Sequence, residues 1–154
     1  MDKEKLYKNL PETPGVYLMK DAKGKILYIG KAGNLKRRVS SYFSRPHDAR
    51  IEHLVREIVR VSVQKTDTAI EALILEAELI KKYKPPYNVR EKDDKSFLYV
   101  EFTRERFPRV FLVRGKLRVE GKRYGPFTSA ANIREALRIL RRIFPFSTHA
   151  DIRN

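Results

Sequence analysis

The sequence predicts an α/β (α+β) fold: a small three-stranded antiparallel sheet flanked by helices, then a short β-rich segment and a C-terminal helix. Three observations carry this. Two β-rich runs, Gly15–Lys20 and Ile26–Gly30, are separated by the turn-forming Asp21-Ala22-Lys23-Gly24. Segments of helical periodicity follow, each behind a capping residue. A third alternating run, Val61–Lys65, lies among them.

The elements follow in order. The first two runs form a hairpin. Asn34 caps a basic amphipathic helix from Leu35 to about Phe43, and Pro46 interrupts it. Asp48 caps a second helix, in which Ile51, Leu54, Val55, Ile58 and Val59 recur at helical spacing. Val61–Lys65 is the third strand. Thr68 and Glu71 form a capping box that opens a third helix to about Lys82, stopped by Pro85-Pro86. Beyond it, Phe97–Phe102, Arg109–Arg114 and Leu117–Arg123 alternate as short strands, and Ser129 caps a last helix from Ala130 to about Ile143. A boundary near Glu91–Lys95 divides the chain into a compact unit, residues 1–92, and a basic β-rich extension, residues 93–154.

Composition narrows the function. The chain has 154 residues and a net charge of +15, which points to a polyanionic partner, nucleic acid before anionic membrane. From Arg104 to Arg142 there are 12 Lys or Arg against 3 acids. A hydrophobic fraction of 42% excludes a disordered basic tail. The absence of cysteine excludes disulfides, thiolate metal sites and a cysteine nucleophile within these residues. No apolar run approaches membrane-span length, so the chain is expected to be soluble, cytoplasmic, free of membrane and monomeric.

One constellation could carry chemistry. With a four-residue link in the hairpin, Tyr17 lies directly opposite Tyr28, and a two-residue slip still keeps both phenols on one face. An ordinary aromatic cross-strand pair is the plain alternative. Arg38 and Tyr42 share a helical face, Lys31 sits just after the second strand, and Lys36, Arg37 and Arg38 form a basic cluster. For Lys36 and Arg37 a solvated basic face competes with a nucleic-acid contact. Glu76 is the most informative residue. Its helical neighbours Ala72, Leu73, Leu79 and Ile80 are apolar, so its carboxylate must be paired or bind a metal. A structural ion pair and a metal-ligand role weigh equally here. His47, His53 and His149 show no ligand spacing, and His53 belongs on a helix surface.

These residues stand in the order of a known family. Gly15-Val16-Tyr17 followed by Tyr28-Ile29-Gly30 resembles the signature of the GIY-YIG nuclease superfamily, with Val in place of Ile. Lys31, then Arg38 and Tyr42 as R-x-x-x-Y, then Glu76, then Asn88 in Pro86-Tyr87-Asn88-Val89, resemble its remaining motifs. Within the superfamily, the stretches 28–35, 75–89, Asp93–Ser96, 124–129 and 144–146 are similar to the N-terminal part of the UvrC family. There the last segment usually leads into a cysteine-rich region, whereas His149 stands about where the first cysteine would be. The chain is therefore expected to be an N-terminal fragment or a shortened relative.

The resemblance implies a metal-dependent DNA endonuclease domain that hydrolyses a phosphodiester bond on the 3′ side of a lesion in nucleotide excision repair. It implies that Glu76 holds one divalent cation, Mg²⁺ or Mn²⁺, and that Arg38 neutralises transition-state charge. Tyr17 or Tyr28 would take a proton from water, with Lys31 favouring the phenolate, and the choice between the two stays open. Tyr42 would orient phosphate or water, and Asn88 would support the site. Lys31, Lys36, Arg37 and Arg38 would meet the backbone of double-stranded damaged DNA, and a UvrB-type loading protein would serve the full-length protein. Three other classes compete: a catalytically silent nucleic-acid-binding module, another GIY-YIG nuclease of mobile-element or restriction type, and a ribosomal or RNA-binding protein.

Overall fold

The computed structural model describes residues 3–89, 97–114 and 121–148. The chain divides into two compact units, Met1–Glu91 and Lys92–Asn154. The expected boundary near Glu91–Lys95, the stretch Asp93–Ser96 and His149 lie largely or wholly outside the described residues.

In the first unit, β1 (Gly15–Lys20), β2 (Ile26–Ala32) and β3 (Arg60–Lys65) form a three-stranded antiparallel sheet in the order β2-β1-β3. Helices α1 (Leu35–Ser44) and α2 (Ala49–Glu57) cover one face, where Tyr17 and Met19 pack with Leu35, Val39, Tyr42, Leu54 and Ile58. Helix α3 (Ala69–Tyr83) covers the other, where Val16, Leu18 and Ile29 pack with Ala72, Leu79 and Ile80. Because β1 is central and covered on both faces, it is apolar at every position from Val16 to Met19 rather than alternating.

The helix starts follow the expected chemistry. The Asn34 side chain accepts from Arg37 N–H, Asp48 from Arg50 and Ile51, and Thr68 from Glu71. The reciprocal bond of the capping box is displaced by one residue, since Glu71 Oε2 accepts from Asp67 N–H at 3.0 Å. Lys84 closes α3 in the left-handed region, with φ 45°. Pro86 then opens a short helix, α4 (Pro86–Val89), which the sequence showed only as a stop: proline is as well suited to a helix's first turn as to ending the one before it.

The hairpin register departs from expectation by two residues. Tyr17 pairs with Gly30, and Tyr28 pairs with Met19. One residue of the shift comes from the connection, which runs from Asp21 through Lys25. Asp21 Oδ1 accepts from Lys23 and Lys25 N–H at 2.9 Å each, and Gly24 takes φ 80°. The other is a bulge beside Met19/Lys20 that leaves Leu27 as the extra residue on β2. Two slips of one residue restore the face, so the phenols remain together as diagonal neighbours.

In the second unit, β4 (Leu98–Thr103), β5 (Val110–Arg114) and β6 (Gly121–Phe127) pair antiparallel in the order β5-β4-β6, and Ser129 caps α5 (Ala130–Ile143). The third strand was expected at Leu117–Arg123. Residues 117–120 of that range lie outside the described residues, and β6 runs on through Gly125-Pro126. Proline is tolerated because β6 is an edge strand and need not donate outward at that position. Glu101, fully buried in β4, has the Arg123 guanidinium 3.8 Å away, and that group in turn lies 3.6 Å from the centre of the Tyr99 ring. Among the described residues, no helix is long and apolar enough to cross a membrane.

Candidate active site

Tyr17 enters the site from the central strand and Tyr28 from the edge strand, while Arg38 and Tyr42 enter from consecutive turns of α1. The three rings form a closed triangle with centroids 6.0–6.2 Å apart. The hydroxyls of Tyr17 and Tyr42 share a hydrogen bond of 2.9 Å. The Arg38 guanidinium lies 5.2 Å from the Tyr42 ring centre and interacts electrostatically with Tyr17.

The three phenols differ in access. Tyr17 is 1% exposed and Tyr42 is 5% exposed, whereas Tyr28 is half-buried. Burial raises the Tyr17 pKa well above 10.0, neighbouring Tyr28 and Tyr42 and the bond to Tyr42 raise it further, and Arg38 opposes them. Partial burial acts against the charge on Arg38, but the phenols of Tyr17, Tyr42 and Tyr28 outweigh it and its pKa is raised. Tyr17 is thus held neutral and Arg38 permanently charged.

Glycine at position 30 is what allows this stacking. The Tyr17 ring crosses directly over Gly30, and a Cβ there would lie 2.3 Å from Tyr17 Oη and 2.4 Å from Cζ. Gly15 is confined likewise, with a Cβ 2.3 Å from the Gln64 carbonyl oxygen of β3. We expect Gly30→Ala to cost about 1–3 kcal/mol of stability by overpacking. Gly33→Ala, whose Cβ meets nothing within 4 Å, is the matched control and should stay within about 0.5 kcal/mol. Thermal unfolding separates the two, and equal midpoints would disprove the contact.

From the α3 side of the sheet, Glu76 reaches the outer edge of β2 and is 3% exposed. Its Oε1 accepts from Lys31 N–H at 3.1 Å, and its Oε2 lies 3.8 Å from Lys31 Nζ. The ion pair weighed for Glu76 against a metal-ligand role was one with an Arg, and the cation beside it is Lys31 instead. Asn88 serves the same edge two residues earlier. Its Oδ1 accepts from Ile29 N–H and its Nδ2 donates to Ile29 C=O, both at 2.8 Å. The side-chain amide stands where a fourth strand would pair, satisfying buried groups that would otherwise cost about 1–3 kcal/mol each. The tyrosine–Arg38 group, on the α1 side, and the Glu76 carboxylate, at the outer edge of β2, are joined through the consecutive residues Gly30 and Lys31.

Two expected contact residues lie on the α1 surface. Lys36 is paired with Glu12 at 3.0 Å, and Arg37 is exposed. The sequence assigned Arg50 no role and Tyr87 none beyond its place in the Pro86–Val89 motif, and it placed His53 on a helix surface, where it lies. His53 is exposed, yet its Nδ1 lies 2.6 Å from the buried Tyr87 hydroxyl and 3.2 Å from Glu57 Oε1. Arg50 donates to the Tyr87 carbonyl. The available signal was the i,i+3 spacing of Arg50 and His53 on α2. Among the described residues, no group of three or more His, Cys, Asp or Glu could hold a metal.

Comparison with known proteins agrees with this geometry. The sequence profile of the UvrC-like GIY-YIG domain matches residues 13–89. The UvrABC system protein C of Moorella thermoacetica is 45% identical over 152 residues, covering 98% of this chain and 25% of that protein. Its counterpart from Hydrogenovibrio crunogenus is 48% identical over 146 residues, covering 94% and 24%. The chain thus spans about a quarter of the length of these curated relatives. A crystal structure of the GIY-YIG N-terminal endonuclease domain of UvrC from Thermotoga maritima, a point mutant bound to its catalytic divalent cation, is 41% identical with a TM-score of 0.52, covering 57% of this chain and 94% of that one. The same domain bound to magnesium is 42% identical with a TM-score of 0.50, covering 56% and 92%.

Proposed function

The chain belongs to the UvrC-like GIY-YIG family, and from that membership we propose that it is a divalent-metal-dependent DNA endonuclease that makes the 3′-side incision at lesions in nucleotide excision repair. The observation that carries this reading is the meeting, at Gly30–Lys31, of a buried carboxylate with three phenols and a permanently charged guanidinium. Residues 1–92 are the catalytic part, and residues 93–154 a basic extension. A UvrB-type loading protein and a cytoplasmic setting belong to the same proposal.

The donor set fits a hard cation. Glu76 Oε2 already faces positive charge, and a single carboxylate with phosphate oxygens and water as further ligands is ordinary for Mg²⁺ or Mn²⁺. When bound, the cation supplies Lewis-acid polarisation of the phosphate and stabilises the leaving oxygen. Water attacks phosphorus, the P–O3′ bond breaks, and the products are a 5′ phosphate and a 3′ hydroxyl that takes its proton from solvent. Tyr28 accepts the proton of the attacking water, because its partial exposure lets water reach it while Tyr17 is enclosed and held neutral. Arg38 neutralises charge on the pentavalent transition state. Lys31 stays beside the Glu76 carboxylate, Tyr42 orients phosphate with the hydroxyl that is hydrogen-bonded to Tyr17, and Asn88 supports β2. Lys36 and Arg37 add backbone contacts on α1.

The Glu76–Lys31 ion pair also suits a second reading, a binding module in which that pair is purely structural. Incubation with supercoiled plasmid distinguishes them. The nuclease nicks the plasmid in Mn²⁺ or Mg²⁺ and stops in EDTA. Salt-sensitive binding without nicking at any metal concentration would favour the module.

A further inference from the structure

We infer that Arg50 and Tyr87, with His53, are positioning residues for the reaction: they tie α2 to α4 so that Asn88 holds the edge strand carrying Tyr28 and Gly30. The inference rests on the nuclease reading for its catalytic consequence, but not for the tie itself. Helix α4 has four residues, too few to be stable by its own hydrogen bonds. Its place is set from outside. The Arg50 guanidinium donates to the Tyr87 carbonyl and lies 5.9 Å from the Tyr87 ring centre, while His53 Nδ1 meets the Tyr87 hydroxyl at 2.6 Å. One side chain is therefore gripped at both its backbone and its tip, from two positions one turn apart on α2.

The next residue transmits the grip. Asn88 is 2% exposed, and its side-chain amide bonds both the N–H and the C=O of Ile29. Ile29 stands between Tyr28 and Gly30, and Gly30 is the floor on which the Tyr17 ring lies. A displacement of Tyr87 would carry Asn88 with it, loosen the outer edge of β2 and move both tyrosines against Arg38. A cavity lined by Ala49, Arg50, His53 and Tyr87 adjoins the tie, so a truncated Arg50 would leave room for Tyr87 to shift rather than be replaced by a packed neighbour. Misplacement of this kind acts on the chemical step more than on substrate binding.

The test uses this chain with Arg50→Ala, and with Tyr87→Phe as the milder variant that keeps the ring and loses only the hydroxyl. Amide hydrogen exchange of Ile29, read by NMR without DNA or metal, is expected to quicken about tenfold in Arg50→Ala and about threefold in Tyr87→Phe, while Leu18 on the central strand keeps its protection. Cleavage should lose kcat by about tenfold in Arg50→Ala, with KM for DNA changed less than about twofold. Unchanged Ile29 exchange in both variants would overturn the tie. A raised KM with kcat preserved would overturn the positioning role and make Arg50 a DNA contact instead. If the parent chain cuts no DNA, the nuclease reading fails on that result, while the exchange measurement still decides the tie.

Discussion

Glu76→Gln is expected to lower DNA cutting by about 10³-fold while leaving DNA affinity unchanged or slightly higher. Glutamine keeps the volume of the side chain, and its carbonyl oxygen can still accept from Lys31 N–H, the bond now made at 3.1 Å. What it lacks is charge. The Oε2 position, 3.8 Å from Lys31 Nζ, no longer attracts either the ammonium or a divalent cation. Some fold stability should be lost, because the Lys31 ammonium, whose side chain is only 16% exposed, keeps its charge and loses the carboxylate beside it. DNA affinity should hold or rise, because a negative charge near the phosphates has been removed. Cutting measured at saturating Mn²⁺, binding measured in EDTA and a thermal melt together check the claim. A variant that cuts as well as the parent would sink the metal-ligand role of Glu76 and the nuclease reading with it.

Tyr28→Phe should reduce cutting by about 10²–10⁴-fold, the range that loss of a general base produces. Tyr17→Phe should cost only about tenfold, as expected for a neutral group that orients its neighbours. The difference comes from position. Tyr28 on the edge strand is half-buried and open to water, whereas Tyr17 on the central strand is 1% exposed and bonded to Tyr42 at 2.9 Å. Tyr17→Phe also leaves the buried Tyr42 hydroxyl without that partner, a stability loss of about 1 kcal/mol. Single-turnover rates at saturating DNA distinguish the two variants. Equal losses would mean that the hydroxyls act as one unit, and a larger loss in Tyr17→Phe would reverse the assignment.

Much of the first unit was legible because its signals are local. Asn34, Asp48, Thr68 and Ser129 each accept from a backbone amide two or three residues on, so a cap and its helix start are written in adjacent letters. Glu76 stood out because its neighbours one turn away are all apolar, and that pattern alone required a partner. The hairpin register was less legible. It depends on how many residues the turn takes and whether the strand bulges, and Asp21–Lys25 and Leu27 each add one residue that no period-two pattern records.

The sequence by itself determined the three strands and three main helices of the first unit, the face shared by Tyr17 and Tyr28, and the need of Glu76 for a positive partner. All of these follow from spacing within one element or across one turn. Only the tertiary structure decided that the partner is Lys31, that Gly30 lies under the Tyr17 ring, that Asn88 completes the outer edge of β2, and that Tyr28 rather than Tyr17 is reachable by water. Each of those joins residues across the sheet, or up to 59 positions apart in the chain. Such contacts arise from the packing of α1, α3 and α4 against one edge strand, and chain spacing carries no record of which elements meet.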